Sequence, residues 1–257
     1  MSELQRYLDA AQEIAWEAGR LTLGWFNRGV EVIDKADGSP VTVADRDAET
    51  LVRRAIEARF PDHGIRGEEH GPKEARAGCS YTWYIDPIDG TKSFVHGVPL
   101  YSNLLALVRD GKPVVGIIQL PALGEQLAAA EGLGCRLNGR PVRVSQIADL
   151  SRAVVLTSDS RDLGISAPTP GWRPLWEGCR FPRSWGDGYG YYLVATGRAE
   201  VMLDARAADY DLAPMPVILR EAGGAFFDWR GEETFLGGHG AACNAALAEQ
   251  VRASLRG

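Results

Sequence analysis

The apolar periodicity of this chain changes after Pro61, and that change limits what it can fold into. Before it, Leu4, Leu8, Ala11, Ala15, Ala18, Leu21 and Trp25 recur at helical spacing, with Asp9, Glu13, Glu17 and Arg20 between them. That is the stripe of a helix lying on a core. A second helix is predicted from about residue 44 to 60, approached through residues 42–45 and stopped by Pro61. Beyond it the runs are rich in β-formers. TWYIDP stops at a proline; SNLLALVRDG and KPVVGIIQLP pair around an Asp-Gly turn; QLAAAEGLGCRLNGRPV continues the meander. A further strand, RAVVLTSD, starts near residue 152. It is followed by a helix over 187–196, the strand EVMLD, and a helix over about 212–222 closed by Gly223-Gly224. AALAEQVRASLRG is a last helix. Helices on both sides of strand runs predict an α/β fold. With no repeat, low-complexity tract or long linker, residues 1–257 read as one unit, its lobes meeting near residue 150.

Composition excludes some functions. The 257 residues are 45% hydrophobic and 24% charged, so a sizeable core is available. A net charge of -6 argues against a broad nucleic-acid surface, which needs a basic stripe to replace counterions. An anionic substrate stays open, because bound cations can reverse the local field. Cys79, Cys135, Cys179 and Cys243 are widely spaced with no CxxC pair, which reads as reduced thiols. The first twenty residues carry charges throughout, so neither a signal peptide nor a membrane span is expected, and the cytoplasm is the default location.

Three acidic patches carry the chemistry: GEE at residues 67–69, DPIDGT at 86–91, and DYDLAP at 209–214. The proline turn in the second lets Asp86 and Asp89 converge and leaves the carbonyl between them free. Hard divalent cations take such oxygen ligands. Gly90 and Thr91 would offer backbone N–H groups at a helix start, where phosphate oxygens bind. Taken one at a time, Asp-Pro and Asp-Gly are ordinary turn signals and an acid opening a helix is an ordinary cap. Three such loops placed after apolar strands point instead to metal-assisted phosphoryl chemistry.

In order, VTVAD, GEE, WYIDPIDGT and YDLAP with EAGG resemble the inositol monophosphatase-like superfamily of metal-dependent, lithium-sensitive phosphatases, over nearly the whole chain. The resemblance implies a layered αβαβα sandwich of the inositol monophosphatase/fructose bisphosphatase type. It also implies two or three Mg2+ ions per active site, a small phosphomonoester substrate and a homodimer. By matching positions, Glu68, Asp86, Asp89 and Asp211 resemble the metal-binding carboxylates, joined by the Ile88 carbonyl. Asp45 and Thr91 resemble the pair that orients the attacking water, with Glu68 counted among the catalytic groups. Gly90 and Thr91 resemble the phosphate cradle. Water would attack phosphorus directly, with no covalent enzyme intermediate and no required histidine. The third motif usually begins with Trp-Asp; here Tyr210 fills that place.

Two strings, DGTKSFVHGVPLY and RSWGDGYGYYLVATGRAEVMLD, most resemble the branch of that superfamily acting on histidinol phosphate; inositol or broader sugar phosphates are the alternative, and a non-catalytic metal-binding protein that retains the fold is a third reading. The substrate's amine and imidazole call for acids, so Asp204 and Asp187 are candidate substrate contacts together with Arg183. Asp187 reads equally as a cap for the following helix. Asp45 has a bland alternative, a salt bridge to Arg46 or Arg53. Trp185, Tyr189, Tyr191 and Tyr192 read as core or subunit interface, and His96 as a turn residue. Lys92 is left unassigned. Lys35 would reach phosphate if the glycine-rich ADGSP loop folded over the site, or else stay at the surface.

Overall fold

The structure is a computed structural model that describes residues 2–35 and 40–257. Most of the glycine-rich loop, residues 36–39, lies outside the described residues.

Two sheets carry the architecture. A seven-stranded sheet takes its strands in sequence order from Gly64–Gly67 through Tyr81–Asp89, Ser102–Arg109, Lys112–Leu120, Glu125–Ala130 and Gly134–Leu137 to Arg140–Pro141. It is antiparallel except for its first pair. A five-stranded mixed sheet follows, ordered Phe181–Arg183, Val154–Thr157, Val201–Asp204, Gly240–Asn244, Gly224–Phe227.

The two-residue side-chain period of the strands sorts apolar residues into separate cores. In the long sheet Leu105, Leu107, Val115, Ile117 and Ala128 face outward, onto Tyr7, Ile14, Ala18, Val52 and Ile56 of the helices Glu3–Trp25 and Val43–Arg59. Their neighbours Leu104, Ala106, Ile118, Leu120 and Leu127 face inward, onto the helices Asp187–Ala195 and Met215–Ala222. The same middle core takes Leu156, Met202 and Ala242 from the second sheet. That sheet's other face, through Val155, Val201, Leu203 and Phe227, is covered by Leu175, Val251 and Leu255 of the helices Trp172–Gly178 and Ala248–Arg256. The layers therefore run helix, sheet, helix, sheet, helix, an αβαβα sandwich. Strands covered on both faces must be apolar throughout, which is why LLALV and VVGIIQL show little alternation.

Local details depart from the expectations. The strand TWYIDP does not end at Pro87; it continues to Asp89 through a bulge. The helix expected over 212–222 is broken at Ala213 and Pro214 into Asp209–Leu212 and Met215–Ala222, and Gly223 caps it in the left-handed conformation. On the first helix Tyr7 and Ile14 are buried while Leu4, Leu21 and Trp25 are only partly so. Phe181–Arg183, Gly224–Phe227 and Gly240–Asn244 are strands that no pattern announced. All four cysteines are free thiols. No helix among the described residues is long and apolar enough to cross a membrane.

The bulge sets the site. Asp86 pairs with Leu104 and Asp89 with Ser102, so three steps on one strand answer two on the other. Residues three apart on a regular strand face opposite sides, but Leu104 and Ser102 share a side. Asp86 and Asp89 consequently both face the middle layer. The Asn103 amide donates to the Pro87 carbonyl and holds the bulge from behind. Replacing Asn103 by the similarly sized Leu should destabilise the fold by about 1–3 kcal/mol, since the buried Pro87 carbonyl loses its donor. Urea unfolding measures this, and an unchanged midpoint would exclude the role.

Candidate active site

Asp86, Asp89 and Asp211 each present an oxygen within 4.8 Å of the others. Asp86 accepts from the Ile88 N–H at 3.0 Å, a local turn that closes the bulge. Asp89 is gripped by two segments distant in the chain, through the Ser102 hydroxyl at 2.6 Å and the Gly188 N–H at 2.5 Å. Asp211 sits in the first turn of Asp209–Leu212, where it accepts from the Ala208 N–H at 2.7 Å. Glu68 follows the strand Gly64–Gly67 and lies beside Asp86, close enough for each carboxyl to act on the other's protonation.

Burial and mutual repulsion make this an expensive arrangement without a cation. Asp86 is held well above the usual carboxylate range by burial, then by Glu68, Asp89 and Asp211. Asp89 is raised by burial, then by Asp187 and Asp211. Asp211 is pushed up to about 7 by burial, against the Ala208 N–H. Glu68 is raised by burial although Lys35 opposes it. An all-oxygen donor set, buried and short of positive charge, fits a hard divalent cation. No cysteine or histidine belongs to the cluster.

Asp45 occupies the first turn of Val43–Arg59. Its Oδ2 accepts from the Thr42 N–H at 2.7 Å and the Thr42 hydroxyl at 2.6 Å, while Oδ1 is buried with no hydrogen-bond partner. Burial pushes its carboxyl up to about 6. The salt bridge considered for it is absent among the described residues: Arg53 pairs with Glu49 instead. Thr91 opens the short helix Thr91–Val95 and donates its hydroxyl to the Ile88 carbonyl at 2.9 Å. Gly90, which precedes it, has φ +79°, and a Cβ there would stand 2.9 Å from Asp187 Oδ2. Conformation and space both require glycine.

A cavity of about 70 Å³ adjoins the cluster, lined by Asp89, Asp211, Ser158, Asp187, Tyr191, Asp204 and Arg206. Asp204 is fully engaged, taking the Ser158 hydroxyl at 2.6 Å on Oδ1 and the Tyr191 hydroxyl at 2.9 Å on Oδ2. Burial pushes it up to about 7. Asp187 is not a side-chain cap; it is the first residue of Asp187–Ala195, at φ 54°, with its N–H given to Ser158 Oγ at 2.7 Å. Burial raises its carboxyl, with Ser158 and Lys92 opposing.

Arg183 is not brought to this cavity. It is exposed, with its guanidinium 4.9 Å from the Phe181 ring and 5.8 Å from Trp185. Lys35 pairs with Glu68 at 2.8 Å and Glu69 at 2.5 Å; burial opposes its charge, and the two acids outweigh it, so its affinity for the proton rises. His96 is exposed and contacts the Lys92 carbonyl at 2.8 Å within its own turn. Tyr210 is partly buried against the middle core. Ser102, Ser158 and Glu49 did not stand out in the sequence. Ser158, just past the end of the run VVLT, had a positional signal, since loops at strand ends carry sites.

The sequence model of the inositol monophosphatase family matches residues 3–256, and the chain belongs to that family. A histidinol-phosphatase of Chlorobaculum parvum is 43% identical over 96% of both chains. One from Mycobacterium tuberculosis is 36% identical over 84% of this chain and 85% of its own. Among solved structures, an inositol monophosphatase from Anabaena superposes with a TM-score of 0.85 at 27% identity, covering 99% of this chain and 96% of its own.

The raised carboxyls give the metal-free protein a defined pH response. In the unfolded chain these aspartates titrate near pH 4, but Asp45 is at about 6 and Asp204 and Asp211 at about 7 when folded. Between those limits the folded state holds protons that the unfolded chain has released, so stability falls as pH rises. In EDTA, calorimetry should give a lower Tm at pH 8 than at pH 5, and a divalent cation should restore it. A Tm that rises over this range would contradict the arrangement.

Proposed function

We propose that the chain is a magnesium-dependent phosphomonoesterase that hydrolyses L-histidinol phosphate to L-histidinol and phosphate, a step of histidine biosynthesis. The carrying observation is that one cavity joins the Asp86–Asp89–Asp211 cluster to Asp187 and Asp204. In this reading Asp89 and Asp211 would face cation and phosphate and Asp187 a positively charged head, with Arg206 also on the lining. The likeness to histidinol-phosphatases over nearly the full chain supports the same substrate.

In this reading Glu68, Asp86, Asp89, Asp211 and the Ile88 carbonyl hold the metal. Magnesium there would supply positive charge to the phosphoryl oxygens and to the departing alcohol oxygen. The chain's own residues do the rest. Asp45 Oδ1 has no partner, and the Thr91 hydroxyl already donates its hydrogen bond to the Ile88 carbonyl. Both are therefore acceptors. A water hydrogen-bonded to both has a lone pair free for phosphorus. As the new P–O bond forms and the ester P–O bond breaks, Asp45 takes one proton from the water and later returns it to solvent, the departing alcohol oxygen takes one proton from solvent, and inorganic phosphate and the alcohol leave. The backbone of Gly90 and Thr91 receives the phosphate oxygens.

At the other end Asp187 is the better amine acceptor, because both oxygens of Asp204 are occupied by Ser158 and Tyr191. Asp204 orders the pocket wall. The reading carries with it lithium inhibition, a cytoplasmic location and a homodimer, the last open to sedimentation analysis.

Two measurements test it. With magnesium saturating, kcat/KM should be higher for histidinol phosphate than for myo-inositol phosphate; the reverse order would favour the broader phosphatase. Asp187→Ala should lower kcat/KM for histidinol phosphate about 10–100-fold, the worth of a charged hydrogen bond, and leave p-nitrophenyl phosphate within about twofold. Equal losses would remove Asp187 from recognition. Separately, EDTA or Asp89→Asn should abolish turnover of every substrate, costing more than the about 10–100-fold typical of groups that only orient ligands. Activity that persists in both would sink the metal mechanism.

A further inference from the structure

We propose that Glu49 is a positioning residue that holds Glu68 in the metal cradle, a role that rests on the metal reading above. Glu49 is fully buried, on the helix Val43–Arg59, four residues after Asp45 and therefore on the same face. A buried carboxylate must be matched by donors, and two of the three that reach Glu49 come from the segment that carries Glu68. Its Oε2 accepts the Glu69 N–H at 2.6 Å. Its Oε1 accepts the His70 N–H at 3.2 Å and Arg53 Nε at 2.6 Å. Arg53 in turn donates Nη2 to the His70 carbonyl at 2.9 Å, so the pair grips both sides of that peptide segment.

On the other flank the Glu68 N–H continues the sheet ladder to the Ile85 carbonyl at 3.3 Å. Glu68 is thus clamped between the strand that delivers Asp86 and the helix that delivers Asp45. The clamp also accounts for Gly67. A Cβ at that position would collide with the Glu49 carboxylate, so the GEE motif begins with glycine because the carboxylate lies against it. One helix face consequently sets two parts of the site: Asp45 directly, and Glu68 through Glu49.

Glu49→Gln keeps the shape but sets an NH2 against an N–H in either amide orientation. In the substrate-free variant, calorimetry should show the magnesium dissociation constant raised about tenfold or more. Exchange of the Glu69 and His70 amides should accelerate at least about tenfold, and raised magnesium should recover most of kcat. Gly67→Ala displaces the same carboxylate without removing its charge, and should weaken magnesium binding in the same direction. It carries the test if Glu49→Gln does not fold. Magnesium affinity within about twofold of wild type in the folded variants, with only a lowered Tm, would overturn the proposal and leave Glu49 a fold-stabilising group. A wild-type protein that binds no magnesium and is indifferent to EDTA would remove the metal reading and this role together.

Discussion

The bulge between Asp86 and Asp89 is the constraint on which the rest of the site depends. A regular strand would send one of these carboxylates to each face of the sheet, into two different cores. The single extra residue turns both toward the middle layer, where Asp211 arrives from the second half of the chain. Proline suits the position because it has no N–H to lose, and Asn103 takes up the carbonyl that the broken ladder leaves behind. The segment is held in place by the sheet, Ser102 included, on one side and by Gly188 on the other.

Crowding acids in a buried place is a cost that the fold sustains with its apolar layers. The repulsion appears as carboxyls displaced upward, and it is the physical form of an affinity for cations. The same crowding explains the donors placed around the cluster. Thr42, Ser102, Ser158, Ala208 and Gly188 each bond one carboxylate oxygen and fix its direction. What stays unsatisfied is informative too: Asp45 Oδ1 is buried with no hydrogen-bond partner, an acceptor left open.

Much of this was legible in the residue order. Asp86, Asp89 and Asp211 stood out because acids after apolar strands are a poor choice for ordinary turns, and the three do converge. The helix over 44–60 and the glycine stop at Gly223 followed from spacing and caps. Asp187 read equally as a helix cap or a substrate acid; the side-chain cap is absent, and the residue borders the cavity. Arg183 shared a string with Asp187, yet four residues along an exposed edge strand and turn were enough to carry it away from the cavity.

The sequence by itself determined the long sheet, most of the helices and the chemical type of the site, while the αβαβα layering was what the family resemblance implied. Apolar period and turn residues are local signals, and an oxygen-only donor set is a matter of composition. Tertiary structure decided which side each acid faces, which acids are already bonded, and who holds whom. Glu49 is the clearest case. As one more glutamate on a charged helix it resembles a solvated residue, and only the arrival of residues 67–70 against it, about twenty positions away, makes it buried and bound. Asp204 differs from Asp187 for the same reason: hydrogen bonds from Ser158 and Tyr191 occupy it across a sheet and a helix. Partners distant in the chain leave no periodic trace, so their effect on a side chain becomes visible only when the layers are packed together.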